Sequence, residues 1–138
     1  TLFPYTTLFR SPERTFWEKA TILHHEANRP EYLAMPPRYS RHFYDLACMS
    51  KSEIKGIAFS RLGLLQKVVD FKMKFYPRSW AKYEEAVPGT FKLFPPDYRI
   101  STLGADYEVM KDMLFSDKPD FESVMYSVQK LEDEINSL

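Results

Sequence analysis

Arg14-Thr15-Phe16-Trp17-Glu18-Lys19-Ala20-Thr21-Ile22-Leu23 is the stretch on which the reading of this chain turns. Thr15 and Glu18 stand three apart, the spacing of a capping box, which predicts a helix beginning at Thr15. Phe16, Ala20, Leu23 and Ala27 then fall at i, i+4, i+7 and i+11, one face of a 3.6-residue period. The helix should stop before Asn28-Arg29-Pro30, because proline disfavours the helical conformation in its predecessor. Lys19 breaks the pattern. At about 100° per residue it lies about 60° from Phe16 and about 40° from Leu23, on the edge of the apolar face, with Glu26 on the same edge.

Working outward, a proline-marked loop runs to Pro37, and Phe43, Leu46 and Ala47 give a second helix over 39–49. Ser52-Glu53 opens a third helical segment. Leu64, Leu65, Val68, Val69, Met73 and Phe75 carry helical spacing on to Tyr76, across Gly56 and Gly63, each of which weakens a helix by about 1 kcal/mol. A short helix is expected over 79–86 after Pro77, then a turn at Val87-Pro88-Gly89-Thr90. Residues 91–97 read as an edge strand or an arm. Ser101 is the expected cap of a fifth helix carrying Leu103, Tyr107, Met110 and Leu114. The last helix starts between Asp117 and Asp120. Its Phe121, Val124, Met125, Val128, Leu131 and Ile135 make the cleanest amphipathic pattern of the chain. The expected fold class is all-α, a bundle of about five to six helices.

Residues 1–11 (TLFPYTTLFRS) resemble a translated sequencing adapter, and the chain does not begin with Met. They are therefore expected to be an artefactual segment, with natural sequence missing upstream, and residues 12–138 form the helical domain. Lys+Arg and Asp+Glu are 19 each, so no global field draws nucleic acid. Locally, Lys67, Lys72, Lys74, Arg78 and Lys82 stand against Asp70. The single cysteine, Cys48, excludes an internal disulfide and reads as a small core filler. No apolar run approaches the roughly 18 residues of a membrane span, so no membrane partner is expected and the localisation expected is cytoplasmic.

Arg38, Arg41 and Asp45 line up at i, i+3 and i+7 on the second helix, and Arg41 can pair with Asp45. If the first two helices pack antiparallel, Lys19 and Asp45 face one cleft. An ammonium beside a carboxylate suits phosphate chemistry: the first neutralises a phosphate oxygen, the second orients it, holds Mg²⁺ through water or takes a proton. The plain alternative is an exposed ion pair with a snorkelling lysine. His24 and His25 point about 100° apart and cannot share a metal ion from one helix; His42 completes no zinc set, so no metal site is expected within the chain. The basic residues from Lys67 to Lys82 interleave with Phe71, Phe75, Tyr76, Trp80 and Tyr83. That is either an amphipathic helix with its aromatics in the core, or an RNA-binding surface.

Arg14-Thr15-Phe16-Trp17-Glu18-Lys19, Glu26-Ala27-Asn28-Arg29 and Arg41-His42-Phe43-Tyr44-Asp45-Leu46 together resemble the downstream part of the AbiEii/AbiGii-type nucleotidyltransferases. These are toxins of abortive-infection, type IV toxin–antitoxin systems. The likeness continues through Val69-Asp70-Phe71-Lys72, Trp80-Ala81-Lys82-Tyr83, Pro88-Gly89-Thr90 and Asp106-Tyr107 with Met110 and Met113 to the ending Leu131-Glu132 and Ile135-Asn136. The resemblance implies the helical C-terminal portion of an enzyme that, when full length, uses Mg²⁺ and moves a nucleoside monophosphate from an NTP to an acceptor such as tRNA. It implies Lys19 as the phosphate contact and Asp45 as the active-site carboxylate, and it places a lysine at Lys72 that could reach the nucleotide or the acceptor; Arg38 and Arg41, from their spacing, are lesser substrate-binding candidates. It also implies a cognate antitoxin and a role in phage defence. The family's glycine-rich phosphate cradle and its Asp-x-Asp metal pair are absent from this sequence, and Asp133, within Glu132-Asp133-Glu134, reads as a solvated helix face. The missing half is the α/β catalytic domain. The chain alone is therefore expected to be inactive and to bind neither Mg²⁺ nor NTP tightly; an RNA-binding or protein-interaction module is the alternative.

Overall fold

The computed structural model describes residues 11–113 and 118–138; the expectations for residues 1–10, Leu114 and Asp117 lie outside them. Among the described residues the chain is all-α, with no strand. The helices are α1 (Pro12–Ala27), α2 (Ser40–Ser50), α3 (Glu53–Phe59), α4 (Leu62–Phe75), α5 (Asp97–Met113) and α6 (Phe121–Asn136), with a 3₁₀ turn at Tyr83–Glu85.

The first helix is the axis of the bundle and packs against α2, α3, α4 and the 3₁₀ turn. Enclosure on several sides explains why Trp17, Thr21 and His24 are buried together with Phe16, Ala20 and Leu23. The expected capping box at Thr15 is not formed. The Ser11 hydroxyl accepts from the Arg14 amide at 3.3 Å, and Pro12 opens the helix. Proline at the first helical position needs no partner for an N–H it lacks, so Ser-Pro is the stronger start signal. Thr15 donates to the Ser11 carbonyl instead, and Glu18 pairs with Arg14 at 3.4 Å.

The second helix begins without help from its own sequence, since Tyr39 at the cap position makes no side-chain cap. Asp106 of α5 does that work: its two oxygens accept from the Arg38 amide at 2.8 Å and the Ser40 amide at 2.9 Å. A carboxylate at a helix N-terminus satisfies orphan donors and complements the dipole. Cys48 is exposed, not the core filler expected, because α2 turns Phe43, Leu46 and Ala47 inward and leaves Cys48 off that stripe.

The helical stretch expected to run to Tyr76 is broken at Ser60-Arg61. The Trp17 indole N–H donates at 3.1 Å to the Ala58 carbonyl, which also accepts from the Arg61 amide at 3.0 Å, so the end of α3 is tied to α1. The short helix expected over 79–86 shrinks to the 3₁₀ turn, because Lys82 adopts a left-handed conformation (φ 53°, ψ 47°) that interrupts it. The fifth helix starts at Asp97, directly after Pro95-Pro96, and Ser101 lies inside it. The last behaves as expected: Asp120 accepts from the Ser123 amide at 2.7 Å, and Val124, Met125, Val128, Leu131 and Ile135 are buried.

Residues 91–96 form the arm, not the strand, of the two readings. Phe91 and Leu93 are buried, and the arm's amides are met by side chains: Phe91 by Asn136 at 2.9 Å, Lys92 by His24 at 3.0 Å, Leu93 and Phe94 by Glu132 at 2.7 and 3.0 Å. Glu132 thus grips the arm, whereas Asp133 beside it is exposed as expected.

Candidate functional site

The packing of α1 on α2 brings the Lys19 ammonium to 3.0 Å from an Asp45 carboxylate oxygen. Their side chains are 23% and 24% exposed, so the pair sits at the lip of the bundle, reachable from solvent but held on several sides. Arg41, one turn before Asp45, approaches its other oxygen at 3.7 Å and is exposed. Two cations therefore converge on one carboxylate, an excess of positive charge suited to a polyanionic ligand.

His42 belongs to this group, although from the sequence it reads only as a possible metal ligand. Burial, then the positive charge of Lys19, pushes its imidazole down to about 4, with Asp45 opposing and Lys72 and His25 adding to the effect. The ring is neutral at pH 7, and its Nδ1 is buried without a hydrogen-bond partner. The available signal was the three-residue spacing from His42 to Asp45, which puts both on adjoining edges of one helix.

Lys72 comes from α4. Its ammonium lies 5.7 Å from the centre of the Tyr76 ring, and its positive charge adds to the lowering of the His42 and His25 imidazoles. Arg38 does not stand in helical register with Arg41. It precedes α2 in a left-handed conformation (φ 60°), its amide held by Asp106. Arg38 and Arg41 nevertheless share a cleft of about 160 Å³ with Asp106, Val109, Met110 and Met113.

Glu26 does not join Lys19 despite the shared edge. It is buried and held by one Arg29 nitrogen at 3.2 and 3.4 Å, and the Arg29 guanidinium stacks 5.2 Å from the Trp80 ring centre. His24 is a strut: its Nε2 donates to the Lys82 carbonyl at 2.8 Å while Nδ1 accepts from the Lys92 amide. That arrangement requires the neutral ring, and burial pushes its pKa below the ordinary histidine value. Of the aromatics in this stretch Phe71, Phe75 and Tyr76 depart from the core reading and are exposed, as is Met73, whereas Tyr83 is buried, Trp80 packs against the core, and Leu65, Val68 and Val69 face inward.

No group of three His, Cys, Asp or Glu among the described residues could hold a metal ion. Asp45, a lone carboxylate already opposed by two cations, does not fit a Mg²⁺ site, which takes one or two free carboxylates plus substrate phosphates. Among the described residues no helix is long and apolar enough to cross a membrane.

Comparison with known proteins gives one finding. The model of a family described as nucleotidyl transferase AbiEii toxin, type IV TA system, matches residues 3–130. No curated protein and no solved structure matches.

Proposed function

This chain belongs to the nucleotidyl transferase AbiEii toxin family of type IV toxin–antitoxin systems, and from that membership we propose that Lys19 and Asp45 form the phosphate-handling part of a site that moves a nucleoside monophosphate from an NTP to an acceptor such as tRNA. The observation that carries this reading is the 3.0 Å approach of Lys19 to Asp45 across two helices, with Arg41 on the second carboxylate oxygen.

In such a transfer an acceptor hydroxyl attacks the α-phosphorus, the bond to the bridging oxygen breaks, pyrophosphate leaves and the hydroxyl proton is given up. Negative charge accumulates on the leaving group, and a fixed cation there lowers the barrier. Lys19 is that cation. Asp45 aims it before the nucleotide arrives, and once phosphate oxygens draw the ammonium away, its carboxylate is free to take a proton. Arg41, Arg38 and Lys72 add contacts to the triphosphate or the acceptor. Neutral His42 adds no competing charge beside Lys19.

Mg²⁺, when bound, supplies further charge neutralisation on the phosphates. The described residues form no Mg²⁺ site, and the proposal is that metal-binding carboxylates lie elsewhere in a longer protein, this chain alone being inactive. The setting proposed is a cytoplasmic toxin of phage defence, restrained by a cognate antitoxin. The test is transfer of label from an α-labelled NTP to RNA by a protein that joins this chain to the proposed metal-binding part. Lys19→Ala and Asp45→Asn are each expected to lower transfer by roughly 100-fold or more. Unchanged transfer in both overturns the assignment and leaves the pair a surface ion bridge.

A further inference from the structure

We propose that the C-terminal end of α4 and the loop after it, through Phe71, Lys72, Lys74, Phe75, Tyr76 and Arg78, form a platform for single-stranded RNA that leads the acceptor toward the Lys19–Asp45 pair. The choice of RNA rests on the transferase reading above; the surface itself stands on the geometry.

Three aromatic rings here are unusually open: Phe71 is 40%, Phe75 57% and Tyr76 54% exposed. They form one cluster, with Phe71 ring centres 4.7 Å from Phe75 and 6.1 Å from Tyr76. Exposed clusters of this kind mark a binding surface. The cations decide which kind. Lys72 lies 5.7 Å from the Tyr76 ring centre, Lys74 5.4 Å from Phe75, and Arg78 5.5 Å from Trp80. Lysine is depleted from the centre of protein–protein interfaces. Aromatics alternating with basic side chains are what single-stranded nucleic acid requires, since any base can stack and every phosphate needs a counter-charge. Asp70, the one acidic residue on this stretch, is turned to Gln66, whose amide it accepts at 2.9 Å.

The platform is braced and well placed. The Tyr76 carbonyl accepts from the buried Tyr83 hydroxyl at 2.9 Å, which fixes the backbone under the rings. The two regions adjoin through helix packing: α4, which carries Phe71, Lys72 and Phe75, packs on α1, which carries Lys19, and the Lys72 side chain reaches over Tyr76. A strand laid over the rings would thus have its phosphates led toward the proposed transfer site.

Fluorescence anisotropy of this chain with a labelled, unstructured RNA of about 12 nucleotides tests the idea. Saturable, salt-sensitive binding is expected. The Phe75→Ala/Tyr76→Ala double variant should bind roughly 10-fold more weakly, and Lys72→Ala and Arg78→Ala should each flatten the dependence of log K on log salt by about 0.7. Lys19→Ala, in the complete protein, separates the two readings: loss of transfer with RNA binding unchanged by the double variant sinks the platform and spares the transferase. No binding by the wild-type chain, or equal binding by a double variant with unchanged circular dichroism and melting temperature, overturns the proposal. So does a double variant whose only change is loss of self-association in sedimentation, which would make the face a protein contact.

Discussion

The 91–96 arm and the 71–80 stretch have similar compositions, aromatic and proline-marked with scattered lysines, yet the bundle treats them in opposite ways. In the arm, Phe91 is 1% exposed and successive amides are answered by Asn136, His24 and Glu132. In the 71–80 stretch the Phe71, Phe75 and Tyr76 rings stay in water, with Lys74 over Phe75 and Lys72 over Tyr76. Composition does not separate the two. What separates them is what the rest of the fold covers: side chains answer successive amides of the arm and its rings are enclosed, whereas the Tyr83 hydroxyl braces the Tyr76 carbonyl and leaves the rings above it open. An arm whose amides are answered in succession and whose apolar side chains are enclosed is part of the core. An aromatic cluster with its faces open has binding capacity to spare.

The largest effect should follow Phe91→Ala, which removes a fully buried ring from between Trp17 and His24. Chemical denaturation should show a loss of about 3–5 kcal/mol; a loss below about 1 kcal/mol would mean the arm is draped on the bundle, not part of it.

A smaller effect belongs to pH, and again it acts on the arm. His24, His25 and His42 are all held below the ordinary histidine value by burial. The unfolded chain therefore binds protons before the folded one does, so stability is fully present above about pH 6.5 and falls as pH drops toward about 4, the value for His42. Protonating His24 also removes the acceptor for the Lys92 amide. Thermal melts should give a lower midpoint at about pH 5 than at about pH 7.5, and a flat profile would show that these rings titrate normally.

The smallest stability change should come from Phe75→Ala, within about 0.5 kcal/mol because the ring is already solvated. A cost of several kcal/mol there would erase the contrast between the two stretches.

The helices with one clean apolar stripe could be read directly: α2 and α6 fell where Phe43, Leu46 and Ala47, and Val124 to Ile135, placed them. So did the approach of Lys19 to Asp45, since each lies beside an apolar stripe that had to be buried against a neighbour. What escaped reading was supplied from a distance. Asp106 caps a helix far upstream in sequence, Glu132 clamps an arm from what reads as a water face, and Trp17 receives the end of α3. Local propensity contains none of these contacts. The start of α1 was missed for a different reason: Ser11 was set aside with the residues before it. His42 was missed because a histidine invites a metal hypothesis, whereas its place beside Lys19 gives it an electrostatic role.

The central claim is that Lys19 acts on phosphate and not merely on Asp45. An ion pair open to solvent on one side contributes only about 0.2–1 kcal/mol to stability, so its two possible roles differ sharply in what they predict. The direct measurement is transfer of label from an α-labelled NTP to RNA by the complete protein, wild type against Lys19→Ala, with melting temperature recorded in parallel. The account predicts transfer lowered by roughly 100-fold or more with a melting point shifted by only a few degrees. Wild-type transfer rates in the variant would contradict it.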